Sequence, residues 1–354
     1  MSDSLTRVID LKKLRDEESY RSGVIRKGIE PELLDDVLQR EEICRKLLQE
    51  VEELRSQQNA ASKDIGRASP EERDAKIAVA ASMKESLQSK ETEYASAAEI
   101  LDNLTISLPN PASERCPDGG EEDYEVIETI GDCNQAPPMS HSEYGEFMDW
   151  VETEKAAENM GSRFAYLKNE AVLLEFALIQ YVMSKLVGKG FTPVVTPVLV
   201  REEMMIDAGF FPTDRNQVYE LPKDDLFLTG TSEVALAGLH RGDIFEENTL
   251  PARYVGYSSC FRREAGTYGK DTTGIFRVHQ FDKVEMFSFC NPVDSWNELE
   301  MLREIEQEIL NELGLPHRVI LVASGDLGAP AALKYDCEVS VSYTHLTLPT
   351  KRIV

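Results

Sequence analysis

Arg262 and Arg263 stand side by side, Glu264 follows, and Phe281 and Glu285 come shortly after. The stretch around them, SSCFRREAGTYGKDTTGIFRVHQFDKVEMF (258–287), holds five cations and four acids in a chain of formal net charge −26. A guanidinium grips phosphate oxygens, an aryl ring stacks on a base, and a carboxylate receives an ammonium. The set suits a nucleotide held beside an amine. The same residues could instead lace a hairpin with cross-strand ion pairs, and spacing alone leaves both readings open. Other chemistries have less support. There is no GxxxxGK[ST] loop, no GxGxxG after a strand, no HExxH and no CxxC. The five histidines and six cysteines are scattered. No metal site is expected, and the cysteines read as reduced thiols of a cytosolic protein.

The elements that must hold these groups follow from local pattern. RYVGYSSCFRRE (253–264) reads as a strand, 265–274 as a polar glycine-rich loop, and IFRVHQFDKVEMF (275–287) as a second strand. They form an antiparallel hairpin with a long tip. Alternation puts Cys260, Arg262 and Glu264 on one face of the first strand. On the second it groups Arg277, His279, Phe281, Lys283, Glu285 and Phe287, so Phe281 and Glu285 can line one pocket. His279 reads as structural. Further strands are expected at 194–200, 226–229 and 318–323 and extending the hairpin to 289, with helices over 144–159, 168–189 and 294–313. The fold class is α+β with an antiparallel sheet.

The N-terminal third has another rhythm. Val37, Cys44, Leu47, Val51, Leu54, Gln58 and Ala61 make one heptad stripe, broken by Arg40. Ala80, Met83, Leu87, Tyr94, Ala97, Leu101 and Leu104 make a second, broken by Lys90. Between them, IGRASP (65–70) offers Gly66 to close one helix and Ser69 and Pro70 to open the next. Two helices of about 33 residues, each roughly 50 Å long, are expected to project as an antiparallel arm. Arg55, Lys63, Arg67, Arg73, Lys76 and Lys84 outnumber the acids between them by two. They suit a phosphate-contacting surface, or a solvated coiled coil. Acidic bulk charge argues against nucleic-acid binding by the whole surface, so any such contact must come from a patch. The expected organisation is an N-terminal domain over 1–108, a linker over 109–142, a catalytic domain over 143–338 and an unassigned tail over 339–354. No run of 18 apolar residues occurs and the start carries no secretory signal, so no membrane association is expected and the location is read as cytoplasmic.

CFRREAGTYGKDTTGIFRVHQFDKVEMF (260–287) closely resembles the second signature motif of bacterial-type seryl-tRNA synthetases, a class II aminoacyl-tRNA synthetase family. GFTPVVTPVLV (190–200) is similar to the family's first motif, at its dimer interface, with Pro197 at the signature position. LTGTSEVA (228–235) resembles its serine-binding segment, and VIDLKKLR (8–15) with the helical hairpin resembles its N-terminal region. The resemblance implies ATP-dependent activation of L-serine to seryl-adenylate and transfer to the 3′ end of tRNA(Ser), with tRNA(Sec) as a second candidate. It implies ATP and Mg2+, a homodimer, and an arm that grips tRNA. By resemblance, Thr231, Ser232, Glu233 and Glu285 hold serine. Arg262, Arg263, Glu264, Val278 and Phe281 hold ATP, with Arg262 on the α-phosphate and Phe281 on adenine.

After YDCE (335–338) the family's pattern calls for a tryptophan, an EISS-type segment for ATP and its magnesium, and a third motif with an arginine on the phosphates. SVSYTHLTLPTKRIV (340–354) matches none of these. It reads as a non-native tail on a shortened catalytic domain, with the expectation that the chain as written activates serine poorly. A synthetase-like protein that binds tRNA or nucleotide without catalysis is the alternative.

Overall fold

The computed structural model of the protein describes residues 9–66, 69–133, 138–265 and 274–339, the side chains of 70–72 excepted. The chain forms two compact units, one ending at Glu114 and one beginning at Arg115.

The first unit contains α1 (Leu11–Asp16), α2 (Glu18–Ile25), α3 (Pro31–Ile65) and α4 (Pro70–Thr105). Asp10 caps α1 by accepting from the amides of Lys12 and Lys13 at 3.0 Å each. The expected antiparallel hairpin is present as α3 and α4. At its base Leu11, Leu14, Val24, Leu34, Val37, Leu101 and their neighbours form one core. Outward, only the seam between two helices can be covered, and burial fades along the predicted stripe. Val37, Cys44, Leu47 and Val51 are buried, whereas Leu54, Gln58 and Ala61 are half-buried. The two stripe breakers are paired. Lys90 Nζ lies 2.9 Å from both Glu50 and Glu93, and Arg40 lies 2.9 Å from Asp36. Pro70 opens α4 as expected. Gly66 follows α3 in right-handed conformation, so closure does not use the left-handed geometry that favours glycine.

The second unit runs β1 (Glu125–Ile130), α5 (His141–Phe147), β2 (Val151–Glu152), α6 (Glu154–Met160), β3 (Tyr166–Leu167), α7 (Glu170–Gly188), β4 (Thr192–Val195), β5 (Leu199–Val200), α8 (Glu202–Asp207), β6 (Glu220–Leu221), β7 (Leu226–Leu228), α9 (Glu233–Gly238), β8 (Ala252–Phe261), β9 (Gln280–Phe289), α10 (Ser295–Glu312), β10 (His317–Leu321) and β11 (Tyr335–Val339). The predicted hairpin is β8–β9, antiparallel from Ala252↔Phe289 to Phe261↔Gln280. β4 joins β8 in parallel, the one parallel pair in a unit whose other ladders are antiparallel among the described residues. Leu186 of α7, Val255 of β8 and Ile305 of α10 share one buried cluster with Phe191, and Lys185 of α7 pairs with Glu308 of α10 at 2.8 Å, so the two helices lie side by side on one face of this sheet. Val200, Met205, Phe211, Phe227 and Val234 form a second core.

Several boundaries differ from the sequence expectation. The segment 109–142, expected as a linker, is not one. Ala112 donates to the Gly23 carbonyl at 2.9 Å, and a Cβ at Gly23 would sit 2.7 Å from the Ala112 carbonyl oxygen, so only glycine admits this crossing. Farther on, β1 pairs with β10 in a three-stranded sheet completed by β11. Pro, Gly and acidic residues on both sides hide this strand, and its solvent-exposed side chains give it no alternation. The helix expected over 144–159 is two short helices with β2 between them, and the strand expected from 275 begins at Gln280. α7 is long and apolar enough to cross a membrane by length and composition. Its Leu173, Leu174 and Phe176 are exposed, as is Val195 of β4. Glu170, Glu175 and Lys185 interrupt the helix, so it holds no unbroken apolar run.

Candidate active site

Alternation along β9 stands Phe281, Lys283 and Glu285 on one face. The segment before α9 is sewn to the adjoining chain. Thr229 donates to the Val198 carbonyl, and Phe261 of β8 donates to the Thr229 carbonyl, both at 2.9 Å. These two bonds deliver Thr231, Ser232 and Glu233, all buried, against the face of β9. Gly256, opposite Glu285 in the ladder, makes the close approach possible. A Cβ there would lie 2.8 Å from Leu236 Cδ1 and 3.1 Å from Ser232 Oγ.

Thr231 is the hub. Its hydroxyl donates to Glu285 Oε2 at 3.0 Å and accepts from Lys283 Nζ at 3.0 Å and the Glu233 amide at 3.2 Å. A hydroxyl has one proton, and both other partners can only donate, so that proton is committed to Glu285. Lys283 also pairs with Glu285, on the same Oε2. The Glu233 carboxyl is buried, and its Oε2 has no hydrogen-bond partner; Ser232 Oγ has none either. Burial first, and then the neighbouring Glu285, push the Glu233 carboxyl up to about 8, against the pull of Lys283 and Arg262. Two carboxyl groups around a hydroxyl, one with a buried unpartnered oxygen, form an acceptor set suited to an ammonium.

Arg262 emerges from the end of β8. Its amide donates to the His279 carbonyl at 3.0 Å, and His279 Nδ1 donates back to the Arg262 carbonyl at 2.9 Å. His279 is therefore structural, as expected, and what it holds is the backbone of Arg262. The guanidinium sits 5.2 Å from the centroid of the Phe281 ring and donates to the Gly230 carbonyl at 3.4 Å. Burial lowers its pKa, yet a guanidinium keeps its proton at neutral pH. Arg262, Phe281, Thr231, Glu233 and Glu285 thus come together on one surface of the hairpin.

Other candidates fall elsewhere or serve other contacts. β8 ends at Phe261, so strand alternation does not carry through to Glu264. Glu264 has φ 48° and accepts from Arg277 at 2.8 Å. Arg263 is exposed, with its guanidinium 5.6 Å from the Tyr219 ring. Val278 is half-buried just before β9, and Pro197 is exposed between β4 and β5. On the hairpin, Arg55 bonds Glu91 across the helices at 2.7 Å, while Lys63, Arg73 and Lys84 are exposed and Lys76 is half-buried. Arg67, Lys270 and the tail from 340 lie outside the described residues. Lys283 is the residue that sequence reasoning passed over. It shared the predicted face with Phe281 and Glu285, but nothing in the spacing tied it to Thr231, which lies 52 residues away. Among the described residues, no group of three or more His, Cys, Asp or Glu side chains is arranged to hold a metal ion.

A family model described as the seryl-tRNA synthetase N-terminal domain matches residues 8–112, and one described as the tRNA synthetase class II core domain (G, H, P, S and T) matches 217–347. The serine–tRNA ligase of Mycobacterium marinum is 42% identical over 346 residues, spanning 96% of this chain and 83% of the relative. That of Thermobifida fusca is 42% identical over 334 residues, spanning 94% and 79%. The seryl-tRNA synthetase of Pyrococcus horikoshii, solved with ATP, superposes with a TM-score of 0.88 at 34% identity over 96% of this chain and 82% of its own. The cytoplasmic serine–tRNA ligase of Naegleria fowleri, solved with AMP, superposes with a TM-score of 0.82 at 25% identity over 94% and 81%. With both family models matched and curated relatives above 40% identity over nearly the whole chain, the protein belongs to the seryl-tRNA synthetase family.

Proposed function

We propose that the surface formed by β8, β9 and the Thr231–Glu233 segment seats seryl-adenylate, the intermediate of the family's serine–tRNA ligation. In the first step a serine carboxylate oxygen attacks the α-phosphorus of ATP and pyrophosphate leaves. In the second, the terminal hydroxyl of tRNA(Ser) attacks the acyl carbon and AMP leaves. No side-chain nucleophile is needed, so the work of the site is positioning and charge stabilisation.

The residues divide the substrate between them. Glu285 and Glu233 receive the serine ammonium, and Thr231 holds Glu285 in place. Ser232 lies between them with its hydroxyl unpartnered. Arg262 faces the α-phosphate, where negative charge gathers on the equatorial oxygens in the transition state. Phe281 carries the adenine. Glu264 and Val278 border the base, and Arg263 lies at the outer edge of the nucleotide. Magnesium is proposed as the counterion brought in by the ATP phosphates. The described residues offer no cluster to hold it, and no step is assigned to it.

Three further assignments extend this reading. Exposed Lys63, Arg73 and Lys84 support the arm as the tRNA-binding element, together with Arg55, Arg67 and Lys76, for tRNA(Ser) and as a candidate for tRNA(Sec). The exposed apolar side chains of α7 and β4, beside Pro197, support a homodimer. The family's place in translation supports a cytoplasmic location.

The observation that carries the proposal is the Thr231–Glu285 bond at 3.0 Å, with Arg262 over Phe281 on the same strand pair. Calorimetric titration with a sulfamoyl analogue of seryl-adenylate tests it. Saturable binding is expected, tighter than that of AMP, and weakened at least tenfold in the alanyl counterpart, whose missing hydroxyl leaves polar groups unpaired. Equal affinity for the seryl and alanyl compounds, or no binding, overturns the assignment.

A further inference from the structure

Lys283 is the one cation in direct contact with the amino-acid end of the pocket among the described residues, and no role has been assigned to it. Its ammonium donates to Thr231 Oγ1 at 3.0 Å and pairs with Glu285. Both the Lys283 contact and the Thr231 hydroxyl bond fall on Oε2 of Glu285, and Oε1 takes part in neither. Lys283 therefore does two things at once. It fixes which way the Thr231 hydroxyl points, because a donor on that oxygen forces the proton toward Glu285. It also neutralises one of two carboxyl groups that would otherwise repel each other at close quarters.

We propose that Lys283 is a positioning residue for amino-acid recognition: it anchors Oε2 of Glu285 and the Thr231 hydroxyl so that the substrate ammonium is received by Oε1 of Glu285 and the free oxygen of Glu233. This rests on the seryl-adenylate reading and extends it. A side chain that merely filled space would not couple to ionisation here, whereas Lys283 does. The charged groups facing Glu233 are Glu285 and Lys283 from β9 and Arg262 from the end of β8. Glu306 of α10 lies within electrostatic reach of Lys283 and Glu285, and Asp336 of β11 within reach of Glu306. Of these, Lys283 and Arg262 are the cations that favour the ionised form of Glu233. Taking Lys283 away should make Glu233 harder to ionise, and so shift the pH at which an ammonium is bound.

The test is calorimetric affinity for the sulfamoyl seryl-adenylate analogue across pH 6–9, on the chain and on its Lys283→Met and Lys283→Arg variants. Methionine keeps the length of the side chain and removes the charge; arginine keeps the charge. For Lys283→Met, weaker binding at pH 7 is expected, with the rise of affinity displaced to higher pH; each unit of displacement means about a tenfold loss on the acid side. AMP affinity should be unchanged, because Lys283 touches no nucleotide-binding group. Lys283→Arg should keep the pH midpoint of the parent even if it binds more weakly. Thermal unfolding of all three excludes a folding defect. If Lys283→Met binds the analogue with the parent's affinity and pH profile, the proposal fails while the seryl-adenylate reading stands. If the parent itself does not bind the analogue, the reading beneath it fails first.

Discussion

Thr231 shows how much a single hydroxyl can organise. It is fully buried, and it satisfies a lysine, a backbone amide and a carboxylate together. Thr231→Val keeps the shape and removes all three bonds, leaving the buried Glu233 amide unmet and Lys283 and Glu285 with only each other. A loss of about 2–4 kcal/mol in unfolding free energy is expected in denaturant titration. Glu233 makes a prediction of opposite character. Its folded pKa of about 8 lies above that of an ordinary carboxylate. Between about pH 5 and 8 the folded chain keeps a proton on Glu233 that the unfolded chain has released. Its contribution to stability is therefore greatest at low pH and is lost as pH rises through that window. Relative to the parent, Glu233→Gln should show a flatter decline of unfolding free energy with pH, the difference approaching about 1.4 kcal/mol per unit. Parallel pH curves for the two proteins would remove the buried-carboxyl account. At this scale the residue types were legible in the sequence but the partners were not. Alternation put Phe281, Lys283 and Glu285 on one face, yet the Thr231–Lys283 bond depends on how α9 docks on β8. That docking is fixed by Gly256 and by backbone bonds to Thr229, which leave no periodic mark.

Elements divide by how local their causes are. The hairpin helices were legible nearly to the residue, because a heptad seam is a local pattern and Pro70 marks its restart. The β8–β9 ribbon was legible as a pair, though its second strand begins only at Gln280. β1 was not legible: its strand state comes from pairing with β10, a partner far along the chain, and not from its own alternation. β4 likewise owes its parallel place beside β8 to tertiary context. For the arm, the exposed cations lead to a measurement. Reversing Lys63, Arg73 and Lys84 to glutamate should weaken tRNA(Ser) binding strongly and lower the slope of log affinity against log salt by about 0.9 for each phosphate that the arm no longer neutralises. The affinity for the seryl-adenylate analogue should be unchanged. If the analogue's affinity falls in step with that of tRNA, these residues are not a dedicated tRNA surface.

The chain comprises a helical unit and a unit built on sheets, and its formal net charge is −26. That charge opposes indiscriminate nucleic-acid binding and leaves recognition to local patches. The apolar face of α7 and β4 belongs to the same scale, since Leu173, Phe176 and Val195 remain exposed on the isolated chain. A dimer mass is expected from light scattering, and Leu173→Asp with Phe176→Asp should convert it to a monomer. A monomeric parent would remove the dimer proposal. The central claim is narrower: one surface of a two-stranded ribbon holds amino acid and nucleotide together. A crystal structure of the chain with the seryl-adenylate analogue tests this most directly. The account predicts the ammonium within hydrogen-bond distance of Glu285 and Glu233, the phosphate mimic against Arg262 and the adenine on Phe281. An analogue seated away from the Thr231–Glu285 pair, or one reaching Arg262 with its ammonium in solvent, would contradict it.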